Sequence, residues 1–228
     1  MGFPDPNHAL EEPDGLLAAG GALTPDWLLT AYAHGIFPWF DDDAEPILWW
    51  SPRVRATLRP GDMRIPRSLR KRIRNGGFHA SWDNAFNDVI AGCSTASMDR
   101  PGTWITPAMR DAYIDLHYLG YAHSVEIWSD QALVGGLYGV SLGRFFFGES
   151  MFSRTNDASK IAFYVLQKTL QDWNFECIDC QMMTDHLARL GVRSTDRQTF
   201  LNQLQNNDIQ QTRRGTWQIP SGLANLQE

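Results

Sequence analysis

Two short stretches carry side chains able to do chemistry. Gly148-Glu149-Ser150-Met151-Phe152-Ser153-Arg154 closes an apolar run, Arg144-Phe145-Phe146-Phe147, that reads as a buried strand. Downstream, Ile178-Asp179-Cys180-Gln181 lies in a second strand-like run, residues 175–182. Side chains at i and i+2 of a strand share a face, so Asp179 and Gln181 are expected to point one way and Cys180 the other. An acid and an amide on one apolar segment must be hydrogen-bonded or used. Two readings stand: an edge strand whose polar face meets water, or a pair that serves a reaction.

Other reactive residue types are less promising. Cys177 and Cys180 form a C-x-x-C, but inside a strand rather than at a helix N-terminus, where the dipole would lower a thiol pKa. Zinc would need a second pair, and only Cys93 remains. The six histidines are scattered, with Asp185-His186 reading as a helix-surface or capping pair, so no metal site is expected. No phosphate-binding glycine loop is present. Residues 64–74 hold Arg64, Arg67, Arg70, Lys71, Arg72 and Arg74, six of twenty basic residues on a chain of net charge −6. Such a cluster reads either as a site for a phosphate backbone or as a solvated helix face.

These groups need elements to hold them. Residues 1–23, rich in Pro, Gly and acids, read as an ordered arm without regular structure. Thr24-Pro25 opens a helix that Gly35 stops. An aromatic loop, Phe37-Pro38-Trp39-Phe40, precedes Asp41-Asp42-Asp43, and a short apolar segment, Ile47 to Trp50, ends at Ser51-Pro52. Helices are expected over residues 66–74, 83–93 (capped by Asp83) and 106–119, with a strand at 78–82 and a loop at 94–102. Three strands at 123–128, 132–140 and 144–149 are separated by short turns and so form an antiparallel meander. A helix over 157–173 carries Ile161, Ala162, Val165, Leu166 and Leu170 at core spacing. The Asp179 strand and short helices near 185–190 and 196–205 follow. Strands in a run with helices on either side make the fold class α+β.

With 228 residues, 43% hydrophobic and 20% charged, the chain is long enough for one large domain or two unequal ones. Composition turns from Trp/Gly/Pro-rich to basic near residues 55–62, so a small domain over 1–58 and a larger one over 59–228 are expected. No run approaches the length of a membrane span and no signal segment opens the chain, so a cytoplasmic protein is expected, with no membrane partner.

Several ordered motifs together resemble one family. Phe37-Pro38-Trp39-Phe40, Leu48-Trp49-Trp50-Ser51-Pro52, Gly102-Thr103-Trp104-Ile105-Thr106, His123-Ser124-Val125-Glu126, Val134-Gly135-Gly136-Leu137-Tyr138-Gly139-Val140, the Glu149 stretch and the Asp179 stretch are similar to those of bacterial leucyl/phenylalanyl-tRNA–protein transferases. The resemblance implies a small N-terminal domain and a larger, GNAT-like acyltransferase domain. It implies transfer of Leu or Phe, and also Met, from aminoacyl-tRNA to proteins with N-terminal Arg or Lys, which marks them for N-end-rule degradation. Aminolysis of an ester draws its energy from the substrate, so no cofactor is expected, and a monomer is.

Residue by residue, the resemblance makes Trp39 and Trp104 the adenosine-stacking positions, apt because every base offers a π-face. It lines the amino-acid pocket with Leu137, Phe146, Met151, Phe163, Leu166, Leu170 and Ile178, which spacing alone marks only as core-facing. Asp179 and Gln181 become catalytic: the Gln181 amide oxygen accepts a hydrogen bond from the incoming α-amine, and Asp179 either takes a proton or orients that amide. Glu149 becomes a partner for the acceptor's basic side chain or its amine, or else a structural hydrogen-bond acceptor. Arg67, Arg70, Lys71 and Arg74 are the candidate tRNA contacts. Two other functions compete. An acetyltransferase using acetyl-CoA would need a glycine-bearing turn before the 157–173 helix, and Ser153-Arg154-Thr155-Asn156-Asp157 has no glycine. A module that only binds tRNA would not need Asp179 or Gln181.

Overall fold

The computed structural model describes residues 2–95, 103–220, 222–224 and 226. Most of the loop expected over 94–102, with Gly102 of the Trp104 motif, lies outside them. In chain order the elements are β1 (Leu16–Ala19), α1 (Pro25–Ala33), β2 (Phe37–Pro38), β3 (Leu48–Trp50), β4 (Val54–Leu58), α2 (Arg67–Asn75), β5 (Phe78–Trp82), α3 (Phe86–Ser94), α4 (Pro107–Tyr118), β6 (Ala122–Ser129), β7 (Ala132–Leu142), β8 (Phe145–Ser153), α5 (Ala158–Asp172), β9 (Cys177–Asp179), α6 (Asp185–Arg189), β10 (Arg193–Asp196) and α7 (Arg197–Gln205). A small sheet has the order β1-β3-β2, and a seven-stranded sheet has the order β10-β4-β9-β8-β7-β6-β5. Its pairs are antiparallel except β8 with β9, which run parallel. The α+β class and the β6-β7-β8 meander expected from short turns are both present.

Alternation along β8 divides the core in two. Phe145 and Phe147 enter a cluster with residues of α1, α3, α4 and α7, while Phe146 enters the opposite one with residues of α2 and α5. Each face of the sheet is thereby covered by helices, as the period-2 strand and the 3.6-residue helix require. Gly135 and Gly136 let α5 and β6 close on β7: a Cβ at Gly135 would lie 2.5 Å from the Ala158 Cβ, and one at Gly136 would lie 2.7 Å from the Val125 carbonyl. At the start of α4, Thr106 Oγ1 accepts from the Met109 N–H at 3.2 Å, the cap that Thr106-Pro107 implies.

Several local expectations are corrected. The arm expected over residues 1–23 contains β1, whose partner β3 lies some thirty residues on, roughly the separation at which local propensity carries no signal. β8 does not stop at Glu149 but runs to Ser153. The strand expected over 175–182 is only β9, Cys177–Asp179, so Asp179 and Gln181 do not share a strand face. β4 and β10 pair with each other across more than a hundred residues and were not foreseen as strands. β4 is thus a strand of the larger sheet. Asp83 does not cap a helix starting beside it: α3 begins at Phe86, and Asp83 adopts φ 55°. Its carboxylate instead accepts from the Ser124 N–H at 2.9 Å and the Trp217 N–H at 2.7 Å, and meets His123 Nδ1 at 2.8 Å.

That carboxylate fastens the C-terminal segment. Trp217, 2% exposed, lies flat on His123 with ring centroids 3.7 Å apart and meets Trp82, Trp173 and Phe175 edge-on. Such a fully buried aromatic carries a large share of local stability. Trp217→Ala is expected to cost about 3–5 kcal/mol, read from the shift in urea midpoint at unchanged slope. A loss below about 1 kcal/mol would mean that the segment packs without contributing.

Candidate active site

The parallel pairing of β8 with β9 ends at Phe147 and Asp179. Beyond that point β8 continues beside β7 alone, and the chain after β9 turns. Gly139 pairs with Gly148 and Tyr138 with Ser150, so Glu149 is the extra residue of a β-bulge. A bulge re-aims a side chain, and here it directs a carboxylate into the opening between the parted strands. Across the opening, Gln181 has φ 61°, and the Met182 N–H bonds back to the Cys180 carbonyl at 2.8 Å. A three-residue turn with positive φ at a non-glycine centre is rare and strained, and such strain gathers at functional sites.

Glu149 is 9% exposed and accepts three hydrogen bonds. Oε1 receives Tyr32 Oη and Gln181 Nε2, each at 2.7 Å, and Oε2 receives Tyr113 Oη at 2.8 Å. Burial pushes the Glu149 carboxyl up to about 7; the two tyrosines and Gln181 pull it back, and the Asp179 charge adds to the rise. Burial and the neighbouring carboxylate hold both phenols well above their usual range, so they remain donors. Because a carboxylate only accepts, the Gln181 NH₂ faces Glu149 and its amide oxygen faces away.

Asp179 is fully buried and sits differently from its expected place. Its Oδ1 accepts from Arg55 Nε at 3.2 Å and from the Gln181 backbone N–H at 2.9 Å, and its Oδ2 pairs with Arg55 Nη2. Asp179 therefore touches Gln181 through the backbone, not through the side-chain amide. Arg55, also fully buried, donates its remaining Nη1 to the Gly35 carbonyl at 2.7 Å and lies between the rings of Phe37 and Phe200. Nothing in the composition of residues 53–59 distinguishes this arginine from a surface one; its partner lies 124 residues away. Tyr32 and Tyr113 were missed for the same reason, standing in helices whose apolar stripes account for them.

Two cavities flank the opening. One, of about 230 Å³, is lined by Leu137, Met151, Phe163 and Leu166, with Tyr138, Ser150 and His186. The other, of about 250 Å³, is lined by Phe37, Pro38, Trp39, Trp104, Gln181 and Met182. Glu149, Cys180, Thr184 and Leu187 belong to both walls. Four of the seven expected pocket residues thus line the first cavity. Phe146, Leu170 and Ile178 do not; they are fully buried in the core behind it. Trp39 and Trp104 share the second cavity, and Trp39 is braced by Trp50, whose Nε1 donates to the Trp39 carbonyl at 2.7 Å. Burial raises the Cys177 and Cys180 thiols, so neither is a thiolate nucleophile. A larger cavity, about 700 Å³, lies at the other end of β8 and β9 beside Arg59, Arg144 and Glu176, away from these residues.

Arg67, Arg70, Lys71 and Arg74 are exposed along α2 at i, i+3, i+4 and i+7, one stripe of the helix, while Leu69 and Ile73 face inward. Arg72 instead lies over the Phe78 ring. Among the described residues, no cluster of His, Cys, Asp or Glu could hold a metal ion, and no helix is long and apolar enough to cross a membrane.

The raised Glu149 carboxyl has a consequence for stability. Protonation favours the folded state, so the contribution is full below the ordinary value of 4.5 and is lost as pH rises through about 7. Above that the ionised group costs roughly 3 kcal/mol. Glu149→Gln should therefore gain in melting temperature over the unsubstituted protein as pH rises through this window, then level off. A difference independent of pH would contradict the raised value.

Residues 57–205 match the family model of the leucyl/phenylalanyl-tRNA protein transferase, and residues 21–53 match that of its N-terminal domain. A leucyl/phenylalanyl-tRNA–protein transferase of Chromohalobacter salexigens is 57% identical over 204 residues, 90% of this chain and 79% of the relative. One from Aromatoleum aromaticum is 54% identical over 215 residues, 94% and 90% of the two chains. Among solved structures, a GCN5-related N-acetyltransferase from Kribbella flavida has a TM-score of 0.40 at 14% identity, covering 75% of this chain and 61% of that one. L-PGS from Bacillus licheniformis has a TM-score of 0.41 at 11% identity, covering 72% and 55%. On the family match and the close relatives, the chain belongs to the leucyl/phenylalanyl-tRNA–protein transferase family.

Proposed function

We propose that the protein transfers leucine or phenylalanine, and also methionine, from aminoacyl-tRNA to the α-amino group of proteins beginning with Arg or Lys, feeding N-end-rule degradation. The observation that carries this reading is the pair of cavities joined at Glu149, Cys180, Thr184 and Leu187. An aminoacyl-adenosine has two bulky ends, an apolar side chain and a flat base, linked by a short ester. The aliphatic cavity suits the side chain and the tryptophan-flanked cavity suits the base, where stacking contributes about 1–3 kcal/mol. The ester then lies between them, beside Glu149 and Gln181. The stripe of four cations on α2 suits the phosphates of the tRNA. The reading includes a monomer working in the cytoplasm, a GNAT-like catalytic part and a separate small N-terminal part.

In this reading Gln181 touches the reacting amine and Asp179 positions it. The Gln181 amide oxygen, turned away from Glu149, accepts a hydrogen bond from the attacking amine. Asp179 holds the backbone turn that aims the amide. Holding nucleophile and ester in register supplies most of the acceleration, because an aminoacyl ester is already activated.

The test is transfer of labelled leucine from leucyl-tRNA to peptides beginning with Arg, Lys or Ala, without ATP or CoA. Label is expected in the Arg and Lys peptides alone. With Trp39→Ala or Trp104→Ala, phenylalanyl-adenosine should compete roughly 5- to 150-fold less well, the stacking range expressed as affinity. Label in none of the peptides, or label that requires CoA, would overturn the reading.

A further inference from the structure

We infer that Glu149 is the group that takes the proton from the acceptor's α-ammonium ion, with Gln181 holding the same nitrogen. The inference rests on the proposed transfer reaction and adds the fate of its protons.

The geometry separates the two carboxylates near the opening. Asp179 lines neither cavity, and its oxygens are engaged by Arg55 and the Gln181 N–H. Glu149 lines both. A carboxylate offers about four acceptor positions, and three are filled here: two on Oε1 by Tyr32 and Gln181, one on Oε2 by Tyr113. The fourth, on Oε2, is left for an N–H. Gln181 Nε2 is tied to Glu149, so its amide oxygen is the adjacent second acceptor. One ammonium ion can meet both at once.

The protons balance without a co-reactant. The ammonium ion gives one proton to the Glu149 carboxylate and becomes a nucleophile. Its nitrogen bonds to the ester carbonyl carbon, the bond from that carbon to the ribose oxygen breaks, and a second nitrogen proton passes to the departing oxygen. The products are an amide, a tRNA with a free hydroxyl, and the proton on Glu149, which returns to water. An α-amine titrates near 8 and the Glu149 carboxyl near 7, close enough for exchange in either direction. The charged and titratable groups around Glu149 are Tyr32 of α1, Tyr113 of α4 and Asp179 of β9, with Tyr138 of β7 on the wall of the aliphatic cavity, Cys180 on both walls and Arg55 of β4 behind Asp179. His186 of α6 shares the aliphatic wall, and burial together with Lys160 and Arg189 lowers its pKa.

The test compares Glu149→Gln with the unsubstituted protein at saturating leucyl-tRNA, on three acceptors. The first is an Arg-initiated peptide, the second its Lys-initiated counterpart, and the third an Arg peptide whose terminal amine is replaced by an aminooxy group, far less basic than an α-amine. Removal of a proton acceptor is expected to lower transfer to the ordinary amines by about 10²–10⁴-fold, equally for Arg and Lys in relative terms, and to the aminooxy analogue far less. Equal losses on amine and aminooxy acceptors overturn the inference, as does a loss confined to Arg, which would make Glu149 a guanidinium partner. Should Glu149→Gln fail to fold, Tyr113→Phe gives a second reading. It removes a donor that lowers the Glu149 pKa, so the acid limb of the pH–rate profile should move to higher pH; an unmoved limb overturns the inference. If the unsubstituted protein labels no acceptor, the proposed reaction itself falls.

Discussion

The structure depends on one buried ion pair. Arg55 and Asp179 meet inside the large sheet, on β4 and β9, with no exposure to water. Taking two charges out of water is costly, and it is offset only where every remaining donor and acceptor is satisfied. Here Arg55 Nη1, the nitrogen not facing Asp179, donates to the Gly35 carbonyl in the turn that ends α1, and the guanidinium lies between Phe37 of β2 and Phe200 of α7. Asp179 spends its spare oxygen capacity on the Gln181 backbone. One pair therefore ties together the helix that carries Tyr32, the aromatic strand that leads to Trp39, and the turn that presents Gln181.

The same pair marks where the sheet opens. β8 and β9 stay bonded as far as Phe147 and Asp179 and then part. On one side a bulge turns Glu149 inward; on the other a strained turn aims Gln181 at it. Both departures from regular geometry carry a cost in stability, and both face the joint between the two cavities. Burial of Glu149 adds to that cost, and Tyr32 and Tyr113 offset part of it. The site is thus built from irregularities that a rigid pair of strands and two helices hold in place.

Regular elements with local signatures were legible in the sequence. Short turns announced the β6-β7-β8 meander, and Thr106-Pro107 the start of α4. Features set by partners far along the chain were not. β1, β4 and β10 are short and gain their identity only from pairing. Alternation puts Gln181 on the face of Asp179 only while the strand continues, and β9 ends two residues short of Gln181. Arg55 carried no local mark, since burial of an arginine is decided by a carboxylate that arrives much later. Of the residues that the resemblance names, Leu137, Met151, Phe163, Leu166, Trp39 and Trp104 line the two cavities, whereas Phe146, Leu170 and Ile178 lie in the core.

The claim that the ion pair positions the site, rather than merely stabilising the sheet, is tested by removing one partner and then both. Asp179→Leu alone strands a buried arginine and should cost about 3–5 kcal/mol, whereas adding Arg55→Met should restore most of that stability. Leucine transfer should stay lost in the stable double variant, because the Gln181 N–H has no carboxylate and the Gly35 carbonyl no guanidinium. A double variant that melts and transfers like the unsubstituted protein would contradict the account.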